Sequence, residues 1–237
     1  MSAPNTTGWI VIGLLGLPLY GALTFWSSFD PQPDPNTHYE AWSRFVTTNH
    51  YVLGHLLGSI FGLILAIFGV FALGVYLATS RAGLLGLVAM VITVLGIALF
   101  LPQQGISTFD APKEGQAYLA GIEEYAKLPS IFADTVRGLT DLLFIVLAII
   151  GNILLGTAVW RSGTLPRWAG ALWAAAHLLM YLSLMYASTI GAARTPPTVP
   201  LGAVLVVISG AWMAWNVLSR ATGAQAVGAA AVQPRVQ

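Results

Sequence analysis

Six apolar stretches, each long enough to cross a bilayer, leave this chain few folds to choose from. They cover Gly8–Phe25, Tyr51–Thr79, Gly83–Leu101, Ile131–Trp160, Trp168–Ile190 and Leu201–Leu218. A spanning helix needs about 20 mostly apolar residues. The stretches are punctuated by Ser80-Arg81, Pro102, Arg161 and Ser219-Arg220. Only 8% of the 237 residues are charged and 57% are hydrophobic, whereas a soluble domain carries about 25% charged residues. That balance excludes an ordinary soluble enzyme, a disordered chain and a nucleic-acid binder. A net charge of +1 implies no strongly charged partner, and the lack of cysteine removes disulfides, thiolate catalysis and cysteine-ligated metals. The expected fold is all-α: a polytopic bundle of six transmembrane helices in the cell membrane, one domain over residues 1–220. Met1–Thr7 has no Lys or Arg, so the first stretch reads as a span rather than a signal peptide. Residues 221–237, rich in Ala, Gly, Val and Gln, are expected to be a disordered cytoplasmic tail.

The loops alternate in character. The side that holds both termini, side A, carries Arg81, Arg161, Arg167, Arg220 and Arg235 and no acid. Side B carries Arg44, Lys113, Lys127 and Arg194, with Arg137 at a membrane edge, and every acid: Asp30, Asp34, Glu40, Asp110, Glu114, Glu123, Glu124, Asp134 and Asp141. Equal basic counts decide nothing by themselves. Side A, however, has very short turns with an Arg at each, where the positive-inside rule acts most strongly. Both termini are therefore expected in the cytoplasm.

Gly54, Gly58, Gly62 and Ala66 recur at four-residue spacing, a groove into which another helix backbone can come close. Packing within the chain is the simpler use, and a homo-oligomer through Gly54, Gly58 and Gly62 is the alternative. Gly69 and Gly74, followed by Arg81 and Gly86, are echoed by Gly151 and Gly156, followed by Arg161 and Gly170. The echo suggests a repeated helical hairpin. The segments Gly151-Asn-Ile-Leu-Leu-Gly156 and Trp160-Arg-Ser-Gly-Thr-Leu-Pro-Arg-Trp-Ala-Gly170, with Gly105-Ile-Ser-Thr-Phe109 and Ala117-Tyr-Leu-Ala-Gly121, carry a further likeness. Over about Tyr51 to Trp215 the chain resembles a family of uncharacterised six-helix bacterial integral membrane proteins, a domain of unknown function. The resemblance implies the fold and no chemistry.

Charges inside a membrane are costly and each needs an account. Asp134, Arg137 and Asp141 are spaced for one helical face. They form either an interfacial ion-pair ladder or the polar floor of an outward-facing pocket, with Asp141 bordering the wholly apolar Leu142–Ile150. His50 and His55 point about 140° apart on one helix, and Ser59 on the face of His55 marks that histidine as the inward one. His177 lies mid-span between Trp173 and Tyr181. A midplane histidine is either a satisfied core group or a functional one. A b-type haem between His55 and His177 is disfavoured by a depth mismatch of roughly 10 Å. No metal or cofactor is expected. The candidate polar site is therefore His55, Asp134, Arg137, Asp141 and His177, with no catalytic group assigned. Asn152 reads as an interhelical hydrogen-bonding group, and Trp9, Trp26, Trp160 and Trp168 as interface anchors.

The long side-B loops Phe29–Arg44 and Gln103–Pro129, the second containing a candidate surface helix at Tyr118–Tyr125, form either a lid or a partner surface. Two classes of role follow. One is a non-enzymatic membrane component or binder of a lipophilic small molecule. The other is a small membrane-embedded enzyme or carrier with an outward-facing polar site.

Overall fold

In lipid a backbone N–H finds no partner outside its own helix, and the apolar stretches duly become helices in the computed structural model, which describes residues 6–29, 32–122, 131–189 and 195–232. In chain order they are α1 (Thr6–Ser27), α2 (Tyr39–Val46), α3 (Asn49–Leu53), a π-helical stretch (Gly54–Phe61), α4 (Gly62–Ala78), α5 (Gly83–Leu119), α6 (Ile131–Ser162), α7 (Arg167–Thr189) and α8 (Thr198–Val232). No strand occurs among the described residues. α3, the π-helical stretch and α4 form one continuous span. With α1, α5, α6, α7 and α8 this makes six helices long and apolar enough to cross a membrane. The protein is thus an all-α polytopic membrane helix bundle.

The six spans stand in a closed ring. Each packs on the next in sequence, and α8 returns to pack on α1. Glycines set the close approaches. A Cβ on Gly16 of α1 would lie 2.5 Å from the Leu65 carbonyl oxygen of α4, and one on Gly210 of α8 would lie 2.9 Å from Leu17 and Pro18 of α1. Gly156 of α6 and Gly170 of α7 face each other, so that a Cβ on either would run into the other's carbonyl oxygen. Leu14, Leu17, Leu73, Leu155, Trp173 and Val206 fill the centre with essentially no exposure. Leu84, Val91, Leu139 and Leu142 point outward and exposed, as a lipid-facing surface requires.

The face carrying Gly54, Gly58 and Gly62 is not open to a second copy. Gly54 is buried. Gly58 abuts Ser27 and the Leu23 carbonyl of α1, and Gly62 abuts Leu23 and Tyr20. Of the two uses weighed for this stripe, packing within the chain accounts for it, because α1 of the same chain occupies the groove.

Pro102 was expected to end the third span, yet α5 continues through Pro102 and Pro112 to Leu119. At 1.5 Å per residue this helix is roughly 55 Å long, well beyond a hydrocarbon core of about 30 Å. Its polar second half stands on side B and packs on α2. Trp42, Val46 and Tyr51 form a small separate core, Gly115 admits Ser43 and Val46, and the Tyr51 hydroxyl donates to the Ser107 carbonyl at 2.9 Å. The Tyr39 hydroxyl donates to Glu114 Oε1 at 2.7 Å. Burial first, and the adjoining Glu114 carboxylate second, push the Tyr39 phenol up to about 12. The two long loops are thus partly one helical cap. Of the helix expected at Tyr118–Tyr125, Tyr118 and Leu119 are the end of α5, the chain turns at Gly121 with φ +77°, and residues 123–125 lie outside the described residues. At the other end α8 runs helical to Val232.

Candidate functional site

A cavity of about 240 Å³ opens among the side-B halves of α1, the π-helical stretch, α5, α7 and the start of α8. α1 contributes Tyr20, Thr24 and Ser27, at spacings that share one helical face, and Ser28 follows in the turn after it. The π-helical stretch contributes His55, Gly58 and Ser59, α5 contributes Phe100 and Gln104, and α7 contributes Met180, Tyr181 and Leu184. Gln32 and Thr195 lie on the loops at its rim. Among the described residues the polar groups of this wall are hydroxyls, carboxamides and one imidazole, with no Asp, Glu, Lys or Arg. The Ser28 hydroxyl donates to the Thr24 carbonyl at 2.6 Å, which leaves its oxygen lone pairs as acceptors. The back wall is aromatic: Phe100 stacks on Phe144 at 4.1 Å, and Phe144 meets Tyr181 edge-on at 5.6 Å.

Both inner histidines are held by the same device. His177 Nδ1 lies 2.9 Å from the Trp173 carbonyl oxygen, and His55 Nδ1 lies 3.1 Å from that of Tyr51. A carbonyl can only accept, so Nδ1 carries the proton in each ring. Each ring also packs on the aromatic side chain four residues earlier, with centroids 4.3 Å apart for Trp173 and 4.1 Å for Tyr51. The imidazole is thereby fixed in one orientation, with Nε2 turned away from its own backbone. His55 lines the cavity wall. His177 is 2% exposed and lies behind the cavity, its ring 6.3 Å from Tyr20 and 5.9 Å from Tyr181.

Of the expected polar site, the structure brings His55 and His177 to the cavity but places neither Arg137 nor Asp141 on its wall. His55 lines the cavity, and His177 adjoins two tyrosines that line it. Asp141 is half-buried on α6, three residues before the buried Phe144, and is not on the wall. Arg137 is exposed. Asp134 belongs to α6, and its side chain lies outside the described residues. Among the described residues the ion pairs are Glu40–Arg44 and Asp110–Lys113. Arg137 and Asp141 are not so joined. No three His, Asp or Glu side chains among the described residues gather in a metal-binding cluster. His50, on the opposite face from His55, is exposed.

Two parts of the site escaped the sequence reading. The polar face of α1 was legible as Tyr20, Thr24 and Ser27 at i, i+4 and i+7, a stripe within an otherwise apolar span. The π-helical turn has no comparable sequence signal. Deeper in the bundle, Asn152 joins α6 to α7. Its Oδ1 accepts from Trp173 Nε1 at 2.9 Å, while its Nδ2 donates to the Ala148 carbonyl at 2.8 Å.

The chain matches no protein-family model, no curated protein and no solved structure. What stands of the family resemblance is the bundle of six membrane-spanning helices, a multi-pass membrane protein whose apolar outer surface meets lipid.

Proposed function

We propose that the protein is a non-enzymatic membrane component that binds a neutral, lipophilic small molecule in the side-B cavity. One observation carries this reading: the described residues of the cavity wall combine hydroxyl, carboxamide and imidazole groups with apolar side chains and include no charged group. A charged substrate would lose its hydration there without a counter-charge in return. A neutral amphiphile with carbonyl or hydroxyl groups can hydrogen-bond at the rim and bury its apolar part against Phe100, Leu63 and Leu184. With the arginine turns of side A in the cytoplasm of a cell membrane, the cavity opens outward.

The test is purification in mild detergent followed by native mass spectrometry. The wild type should carry a neutral adduct, and Ser59→Phe, which fills the cavity, should lose most of it. An adduct retained in full by Ser59→Phe, or a wild type that binds none, overturns the reading. A Soret band abolished by both His55→Ala and His177→Ala would replace it with a b-type haem protein.

A second reading, an enzyme or carrier acting from the same outward-facing cavity, is favoured by the location of His55. π-helical turns are rare and are frequent at functional sites, and this one places an oriented imidazole on the wall. Chemical conversion or vectorial release of the bound adduct by proteoliposomes, lost in His55→Ala with binding retained, would establish it.

A further inference from the structure

The opposite end of the bundle holds two arginines together with no acid. Arg81 comes from the turn joining α4 to α5, and Arg161 from the end of α6 where the chain turns into α7. Both line one groove of about 430 Å³ with Ala82, Leu84, Leu85 and Val88. The Arg81 side chain crosses to the second turn, where its Cδ and Nε lie 3.7 and 3.8 Å from the Cβ position of Gly163. Gly163 has φ +69°, the left-handed conformation that lets the chain turn tightly beneath the Arg81 side chain. All nine acids of the chain fall between Asp30 and Asp141, on side B or at its edge. Among the described residues no carboxylate lies within ion-pair distance of either arginine. Arg167 differs, since its guanidinium lies 5.6 and 5.8 Å from the ring centres of Trp160 and Trp168.

Two guanidiniums on one groove repel each other, and an anion between them reverses that term. Guanidinium is the side chain whose planar fork matches phosphate. The groove floor is aliphatic and faces outward: Leu84 is 77% exposed and Val88 43%. At the foot of a lipid-facing helix, such a surface suits acyl chains better than water. We infer that Arg81 and Arg161 form a binding site for an anionic phospholipid, the phosphodiester held between the guanidiniums and the upper acyl chains lying on Leu84 and Val88. Basic pockets between membrane helices are a recognised means of holding such headgroups. This site lies at the other end of the bundle from the cavity and does not depend on what fills it.

The test uses the full chain in detergent, with native mass spectrometry and thermal unfolding, after addition of phosphatidylglycerol, phosphatidylcholine or inorganic phosphate at equal phosphate concentration. The wild type should retain phosphatidylglycerol at least tenfold more than phosphatidylcholine and unfold at a higher temperature with it. Arg81→Gln and Arg161→Gln should each weaken that preference, and the double variant should lose it. Arg220→Gln, on the same side but outside the groove, should keep it. Unfolding in phosphatidylcholine shows that the variants are folded, as expected for two exposed positions. Equal retention of the two lipids, or an undiminished preference in the double variant, overturns the inference. Stabilisation by inorganic phosphate equal to that by phosphatidylglycerol also overturns it, since the site would then hold a simple anion.

Discussion

Trp173 donates its indole N–H to Asn152 Oδ1 at 2.9 Å, and both side chains are almost completely buried, at 1% exposure each. This hydrogen bond ties α7 to α6 at the bundle centre, and the Trp173 backbone carbonyl then fixes the ring of His177. Asn152→Leu leaves the indole N–H unpaired and should cost about 1–2 kcal/mol, the upper range for interhelical hydrogen bonds in membranes. Trp173→Phe should cost more, because it also removes buried ring area. The double variant should be less destabilised than the sum of the two, as residues sharing one bond are coupled. Reversible unfolding in mixed micelles checks this, and strict additivity would mean that the bond carries no net stability.

The glycines divide into two groups. Gly156→Ala pushes a methyl into the Gly170 carbonyl, so α6 and α7 must separate, at a cost of about 1–3 kcal/mol. Gly105 and Gly138 have nothing within 4 Å of a Cβ position, and alanine there should be neutral or stabilising by up to about 1 kcal/mol. Parallel thermal unfolding of the three variants decides it. Equal destabilisation by Gly105→Ala and Gly156→Ala would contradict the packing described.

The cap on side B should be sensitive to alkali through Tyr39. Its folded-state pKa is raised from 10.0 to about 12, so the folded state holds this proton more tightly than the unfolded chain. The contribution is fully present below pH 10 and is lost as pH rises through about 12. Tyr39→Phe removes the Glu114 bond, so its stability relative to wild type should improve steadily across that window. Thermal unfolding of both proteins over the range measures the difference, and parallel curves would exclude Tyr39 as the titrating group.

Topology is open to labelling. Cysteines replacing Arg81 and Arg161 should be protected from an external, membrane-impermeant thiol reagent in intact cells, and cysteines replacing Asp34 and Glu114 should react. The reverse pattern would invert the protein in the membrane. Labelling of Arg81→Cys and Asp34→Cys from one side would contradict six spans.

The number and approximate limits of the spans were readable from sequence, because lipid demands about 20 apolar residues wherever a helix crosses it. The inward face of the second span could also be read, from His55 and Ser59 four residues apart. Where α5 ends could not. Pro102 breaks a helix in water, but the amide it lacks costs little where neighbouring helices and side chains satisfy the freed groups, and α2 supplies a packing surface beyond it. What surrounds the residues of the expected polar site could not be read either. The spacing of Asp134, Arg137 and Asp141 fixes a shared face of α6 but not which neighbour that face meets. Only the closed ring, with α8 returning to α1, decides that Tyr20, Thr24, His55 and Tyr181 from three separate spans surround one cavity while Asp141 stays off its wall. Periodicity is a local property of each helix. The rotation of each helix about its axis is set by glycine contacts such as Gly16 on Leu65 and Gly156 on Gly170, which join residues far apart in the chain.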